Sequence, residues 1–526
     1  MNSLVRLAAA ALALAAVPSA MPAAAAETPL KLTAEAMREE VIYHIFFRSF
    51  RDSDGDRIGD LKGLTDKLDY LKSLGVTSLL LTPLQPSPYY HNYFATDFEK
   101  IDPAYGTMED YFTFIRAARA RGLKVYLDQE IQYVAEGHPW LTESRGKPGS
   151  EFSRHILYNR PKTNEEPEPF LAAPAWPGYD GNWIGISMVD LRTPAVKRYF
   201  EKLFLHWIDP HGDGSLRDGI DGFRIDHMMD DLDNKKMLPN LFADFWAPIF
   251  RAVKARNPSA RILAEQADWG YGDAWLTRGN ADLVFAFPLR GALTKLDKPG
   301  ILTALRTMDT KTPDTKEQIL FVENHDTDRY MSVVGDDPKK ARIGAVATLL
   351  LRGTPLIYYG QELGMRGRAD ESQRSDAAHI PLREAFRWSA NLSAPGSAIW
   401  YQNEGKRWWV NRYSRSNDGA SLAEQHDRPD SLYSFYRKLL ELRARRPELR
   451  QGSQQILCDD ASPALCILRE QGGVRTLILA NTGEAETRVA LPVLGGGWRD
   501  LLDGDARVDP AEITLAPLEV RVLGTS

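Results

Sequence analysis

The sequence predicts an α/β protein: a (β/α)8 TIM barrel with an inserted subdomain on its third loop, followed by a C-terminal antiparallel β-sandwich. Three observations predict it. Eight apolar, strand-like runs alternate with helical patterns between Val41 and Gly360, the order that winds a parallel sheet inside a ring of helices. Four runs deliver acids at their C-terminal tips: Val125-Tyr126-Leu127-Asp128, Phe223-Arg224-Ile225-Asp226, Ile262-Leu263-Ala264-Glu265 and Phe321-Val322-Glu323-Asn324-His325-Asp326. In a barrel, reacting groups gather at those tips. From about residue 448 the rhythm turns to short alternating runs separated by turn residues, a sandwich pattern.

The elements follow in order. Met1 to Arg6 carries a positive charge, Leu7 to Val17 is rich in alanine and leucine, and Ala24-Ala25-Ala26 precedes Glu27. This is the pattern of a secretory signal over residues 1–26, and predicts export to the periplasm or the medium. A membrane anchor is the alternative, but the run is short and broken by Pro18 and Pro22. No later stretch has the length and apolarity to span a bilayer, so no membrane span is expected in the mature chain.

The barrel region is expected over 27–447. Val41 to Phe46 reads as its first strand. The segment Asp52-Ser53-Asp54-Gly55-Asp56-Arg57-Ile58-Gly59-Asp60 then alternates acids around a glycine, like the calcium loop of an EF-hand. Asp52, Asp54, Asp56 and Asp60 would supply carboxylates to Ca2+, and Ile58 its backbone carbonyl; a solvated acidic turn is the alternative. Leu64, Leu68, Leu71 and Leu74 recur at helical spacing up to Gly75, which stops the helix. A second strand from Ser78 to Leu84 leads to the aromatic loop Tyr89 to Phe94. Thr107, with Asp110 three residues on, caps a helix that reaches Gly122.

After the strand ending at Asp128, residues of about 134–189 lose periodicity and are rich in Pro, Gly, Trp and Asn. So long an excursion in a compact protein reads as an inserted, functional subdomain. A helix over Pro194 to Trp207 leads to the strand at Asp226, and a further helix to the one at Glu265. Ala281 to Phe287 is the sixth strand, the run before Asp326 the seventh, and Pro355 to Gly360 the eighth. A helix spans Leu432 to Arg445. Short runs around Ile456, Cys466, Ile478, Val489 and Val522 build the C-terminal domain, expected over 448–526.

The Arg224–Asp226 pair is expensive to bury without partners; a plain buried ion pair is one reading and a reactive centre the other. Cys458 and Cys466 are the two cysteines. In an oxidising compartment they could close a small loop, the alternative being two buried thiols. The formal charge of −6 carries no basic signature, so nucleic acid is not an expected partner. An acidic chain with 12 Trp, 20 Tyr and 20 Phe has ring faces to offer a sugar, although most such rings fill cores.

Taken together, these motifs carry a family resemblance. The chain resembles the α-amylase superfamily, glycoside hydrolase family 13, from about Val41 to the C-terminus. The segment Gly222 to Asp226 is similar to that family's nucleophile strand, Asn324-His325-Asp326 to its seventh-strand motif, and Gly353 to Glu362 to its eighth strand. Met188-Val189-Asp190-Leu191 resembles the motif closing the inserted domain. The resemblance implies that Asp226 is the nucleophile, Glu265 the general acid/base and Asp326 the transition-state stabiliser. Tyr93 would stack under the sugar, with Asp128, Arg224, His325 and Tyr133 as further substrate contacts.

The sequence departs from the pattern at three places. Gln132-Tyr133 stands where the family usually has Asn-His, Phe94 where an aspartate follows the stacking tyrosine, and Met229-Asp230 where Lys-His is frequent. The resemblance implies a retaining α-glycosidase that hydrolyses α-glucans or malto-oligosaccharides through a covalent glycosyl-enzyme. The alternatives are a transglycosylase or hydrolase acting on a disaccharide such as sucrose or trehalose, and a sugar-binding barrel without catalysis. The intact Asp226, Glu265 and Asp326 count against the last.

Overall fold

The computed structural model describes residues 33–402, 412–458, 460–489, 491, 494–511 and 513–525. The expected signal at 1–26 lies outside the described residues. Eight parallel strands close a barrel in sequence order: β1 Ile42–Ile45, β2 Ser78–Leu81, β3 Lys124–Gln129, β4 Gly222–Met228, β5 Arg261–Gln266, β6 Leu283–Phe285, β7 Glu317–Leu320 and β8 Thr354–Tyr358. Strand period decides which side chains enter the lumen. In β4, Phe223 faces outward and meets Phe204 of the helix Pro194–Ile208 at 4.5 Å between ring centres. Arg224 and Asp226, of opposite parity, project inward. Gly222 opens the strand because a Cβ there would sit 2.0 Å from the Arg261 carbonyl oxygen of β5.

The lumen is filled. Ile42, Leu80, Tyr126, Leu263, Leu283, Ile319 and Leu356 form one buried cluster with Ala34 and Met37 of the helix Ala34–Arg38. The Thr354 hydroxyl, at the start of β8, donates to the Met37 carbonyl at 3.0 Å, which seats that helix at the N-terminal mouth. The acids at the strand tips, Asp128, Asp226 and Glu265, converge at the opposite end.

Local signals are realised with shorter boundaries. Thr107 and Asp110 make a reciprocal capping box on the helix Met108–Ala120, and Gly75 ends the helix Leu68–Leu74 at φ 106°. The helix expected through Leu64 to Leu74 is two, Leu61–Asp66 and Leu68–Leu74, meeting at Lys67. The sixth strand stops at Phe285 because Phe287 opens a helix with Pro288 in its first turn. β7 ends at Leu320, so Asn324, His325 and Asp326 sit on a loop beyond it.

The excursion after β3 is pinned at both ends. Tyr133–Ala135 pairs antiparallel with Ile186–Met188, and Trp176–Pro177 pairs with Trp183–Ile184. At the C-terminus, β9 Ser453–Ile456, β10 Ala464–Gln471, β11 Val474–Asn481, β12 Thr487–Val489, β13 Trp498–Asp500, β14 Arg507–Val508, β15 Ile513–Leu515 and β16 Val520–Thr525 form two antiparallel sheets. One has the order β9-β10-β11-β16-β13-β14, the other pairs β12 with β15. Cys466, Leu468, Leu477 and Leu479 pack against Val489, Ile513 and Leu515. The alternate residues Leu465, Ile467, Ile478 and Ala480 join the main core beside the barrel helices, so this sheet is apolar on both faces. Cys458 and Cys466 are disulfide-bonded, with Cα atoms 5.2 Å apart. Among the described residues, no helix is long and apolar enough to cross a membrane.

Candidate active site

The C-terminal strand ends surround a cavity of about 490 Å³ whose wall includes Tyr93, Asp226, Glu265, His325, Asp326 and Arg383. Beneath it, Arg224 is almost wholly buried and joins three strands. Its Nη1 donates to Asp128 on β3 at 2.6 and 2.7 Å and to Asp226 Oδ1 at 2.6 Å. Its Nη2 donates to Glu265 Oε2 on β5 at 2.6 Å. Three carboxyl groups around one guanidinium cannot all be satisfied as full anions in so dry a place. Burial, with the charges of Asp226 and Asp326 added, pushes the Glu265 carboxyl up to about 8 against the opposing pull of Arg224. Burial likewise raises Asp128, to about 7.

A backbone irregularity aims these groups. Ile225 pairs with Ala264 and Met228 with Gln266, so Asp226 and His227 together oppose Glu265 alone. This is a β-bulge, and His227 takes it up at φ 46°. The His227 amide donates to Glu265 Oε2 at 3.3 Å, so the bulge also orients the second acid.

On the far side, His325 Nε2 lies 2.9 Å from Asp326 Oδ2 and 2.7 Å from the Tyr93 hydroxyl. The Tyr93 hydroxyl donates to Asp128 Oδ2 at 2.6 Å, and its ring stacks on that of His325 at 12°. Arg383 Nη2 donates to Asp326 Oδ1 at 2.9 Å, and Arg383 Nε to the His325 carbonyl at 2.9 Å. Burial acts to raise the Asp326 carboxyl, but His325 and Arg383 hold it well below the usual carboxylate range. The site therefore pairs a carboxyl whose surroundings favour the protonated form with another whose surroundings favour the anion.

Several expected substrate contacts stand elsewhere. Tyr93 and His325 are in the cavity wall, but Asp128 and Arg224 are 0% and 1% exposed and lie under it. Their mutual ion pair and inward parity draw them below the surface, where they position other groups. Tyr133 is also completely buried; its hydroxyl donates to Asp233 Oδ1 at 2.5 Å and its ring packs on Phe170 at 4.8 Å. The cavity wall also holds residues the sequence reading missed: His91, Phe170, His227, Trp269, Asp376, His379 and Arg383. His227 and Trp269 could have been suspected from following Asp226 and Glu265. Arg383 lies in an aperiodic stretch and leaves no local signal. A second cavity of about 430 Å³ shares His91, Phe94, Phe170 and Asp376 with the first, and adds Tyr89 and Trp176. Phe94 thus gives an apolar rim to an elongated trough.

In the acidic loop, carboxylate oxygens of Asp52, Asp54 and Asp60 come within 4.8 Å of one another. Asp52 accepts the amides of Gly55 at 2.7 Å and Arg57 at 3.1 Å, and Asp60 that of Ser53 at 2.6 Å. Such a cluster of hard oxygen donors on a tight turn fits Ca2+. Asp56 stands outside the trio and accepts the Ile58 amide at 2.7 Å.

Comparison with known proteins agrees with this geometry. Residues 44–452 match the family described as "Alpha amylase, catalytic domain". The chain is 30% identical to "Alpha-amylase 3" of Dictyoglomus thermophilum over 435 residues, covering 81% of each. It is 27% identical to "Probable oligo-1,6-glucosidase 3" of Bacillus subtilis, over 84% of this chain and 90% of the relative. The crystal structure of an α-amylase from H.orenii superposes with a TM-score of 0.75 at 27% identity, covering 93% of this chain and 99% of that one.

Proposed function

The chain belongs to the α-amylase family of glycoside hydrolases, and from that premise we propose that it is a retaining α-glycosidase cleaving α-glucans or malto-oligosaccharides. In this reading Asp226 attacks the anomeric carbon while Glu265 protonates the departing glycosidic oxygen. Water then completes the cycle, giving its proton back to Glu265. Asp326, held as an anion by Arg383 and His325, faces the positive charge that develops on the sugar ring. Tyr93 offers a ring face, backed by His325.

One observation carries the reading: a single guanidinium, Arg224, bonds Asp226 and Glu265 through adjacent nitrogens at the wall of one cavity. Two carboxyls so bracketed are kept close, as retaining enzymes need at about 5–5.5 Å. The apolar trough past Phe94 and Phe170 supports a chain-like substrate over a lone monosaccharide. We assign Ca2+ to the loop of Asp52, Asp54 and Asp60 as a structural ion. The Cys458–Cys466 bond supports export, since such bonds persist in oxidising compartments.

The test is product analysis on starch, maltotriose, pullulan, sucrose and trehalose, with the anomer of the first product followed by NMR. Asp226→Asn and Glu265→Gln are each expected to lower turnover by about 10³-fold or more while sugar still binds. An inverted first product, or wild-type rates in either variant, overturns the reading.

A further inference from the structure

Behind Asp226 stands a carboxyl group for which the mechanism above has no use. Glu130, two residues past Asp128, is 5% exposed, and its carboxyl lies within interaction range of the Asp226 side chain. Gln132, wholly buried, locks the two together. Its backbone amide donates to Glu130 Oε1 at 2.5 Å. Its side-chain Nε2 lies 3.2 Å from Glu130 Oε2, 3.3 Å from the Asp226 carbonyl and 3.1 Å from the His227 carbonyl. In a regular strand successive carbonyls point to opposite sides. The bulge at Asp226–His227 turns both toward one amide, so the bulge, Gln132 and Glu130 are one assembly.

A buried carboxyl set against the partly exposed one of Asp226 opposes ionisation of both at once. Asp226 is ion-paired to Arg224 at 2.6 Å, whereas the strongest charge bearing on Glu130 is Asp226 itself. The shared proton therefore belongs to Glu130, and burial together with Asp226 raises that carboxyl well above its ordinary range.

We infer that Glu130 is a positioning residue that, as a neutral acid, donates a hydrogen bond to the Asp226 carboxylate and so orients and stabilises the nucleophile, with Gln132 holding it in place. The inference rests on Asp226 being the nucleophile. In the first step an Asp226 oxygen bonds to the anomeric carbon, the glycosidic C–O bond breaks and the Glu265 proton goes to the leaving oxygen. In the second step water adds, Glu265 takes its proton, and the Asp226–carbon bond breaks with its electron pair returning to Asp226. Glu130 keeps its proton throughout. Its O–H stabilises the carboxylate that departs in the second step, so its effect falls on breakdown of the glycosyl-enzyme.

The test compares Glu130→Gln, which keeps a donor, with Glu130→Leu, which does not. With an aryl α-maltoside, Glu130→Leu is expected to lose about 10²-fold in kcat, the effect of removing one aimed donor, with a burst of released phenol and a parallel fall in KM, so that kcat/KM changes little. Glu130→Gln is expected to recover most of that turnover. Infrared difference spectra of wild type minus Glu130→Gln at neutral pH, taken without substrate, are expected to contain the carbonyl band of a protonated carboxylic acid. Absence of that band overturns the inference even if Glu130→Leu fails to fold, as does wild-type kcat in a folded Glu130→Leu. An active Asp226→Asn would instead remove the parent reading, and the infrared result distinguishes the two failures.

Discussion

Arg224 Nη2 donates to Glu265 Oε2 at 2.6 Å, so the group that the proposed mechanism asks to surrender a proton is tied to the cation that also holds Asp226. Burial nevertheless raises Glu265 to about 8. The acid works only while protonated. kcat/KM is therefore expected to be flat through neutrality and to fall with an apparent midpoint near pH 8, steepening to about tenfold per pH unit beyond it. A pH–rate profile whose alkaline limb lies a unit or more below neutrality contradicts the assignment.

Arg383 holds Asp326 at 2.9 Å. Replacing it by Gln removes a charge that depresses the Asp326 carboxyl. The acid limb is then expected to move upward in pH and kcat/KM to drop by about 30-fold or more, the scale of a lost buried ion pair. Unchanged acid-limb position in Arg383→Gln, measured on the same substrate, would place the control of Asp326 elsewhere.

Trp269 is 46% exposed at the cavity rim and stacks on Phe287 at 4.7 Å with planes 3° apart. A ring so backed offers its outer face to a sugar at little entropic cost. Trp269→Ala is expected to raise KM for a long malto-oligosaccharide by roughly tenfold, about 1.4 kcal/mol, with a smaller effect on a short aryl glycoside. Equal effects on both substrates would argue against a platform remote from the bond being cleaved.

The Asp52, Asp54 and Asp60 cluster predicts a thermal response. Ligand binding stabilises the folded state by about 2.7 kcal/mol at one hundred times Kd. Adding a chelator is therefore expected to lower Tm by roughly 3 °C or more, with recovery on adding Ca2+ and a smaller response in Asp54→Asn. An unmoved melting curve would leave the loop as an acidic turn.

Much of the fold was legible because it is written in short-range periodicity. The run from Gly222 to Asp226 carries its in-and-out alternation openly, and Thr107 with Asp110 announces its helix. The acids at the strand tips were legible for the same reason. Arg383 was not, because it reaches Asp326 across 57 positions of chain from a segment with no period. Glu130 lay in plain view beside Asp128, but nothing local says that its carboxyl meets Asp226, 96 residues on.

The sequence by itself determined the eight strands of the barrel and the acids available at its mouth, since those follow from alternation and helical spacing along the chain. Depth and partnership were decided only by the closed barrel. It sank Asp128, Arg224 and Tyr133 below the cavity wall, used a bulge to turn Asp226 and His227 toward Glu265 and Gln132, and brought Arg383 onto Asp326. The physical reason is that burial and ion pairing depend on which strands become neighbours and at what stagger. One-dimensional pattern carries no measure of either.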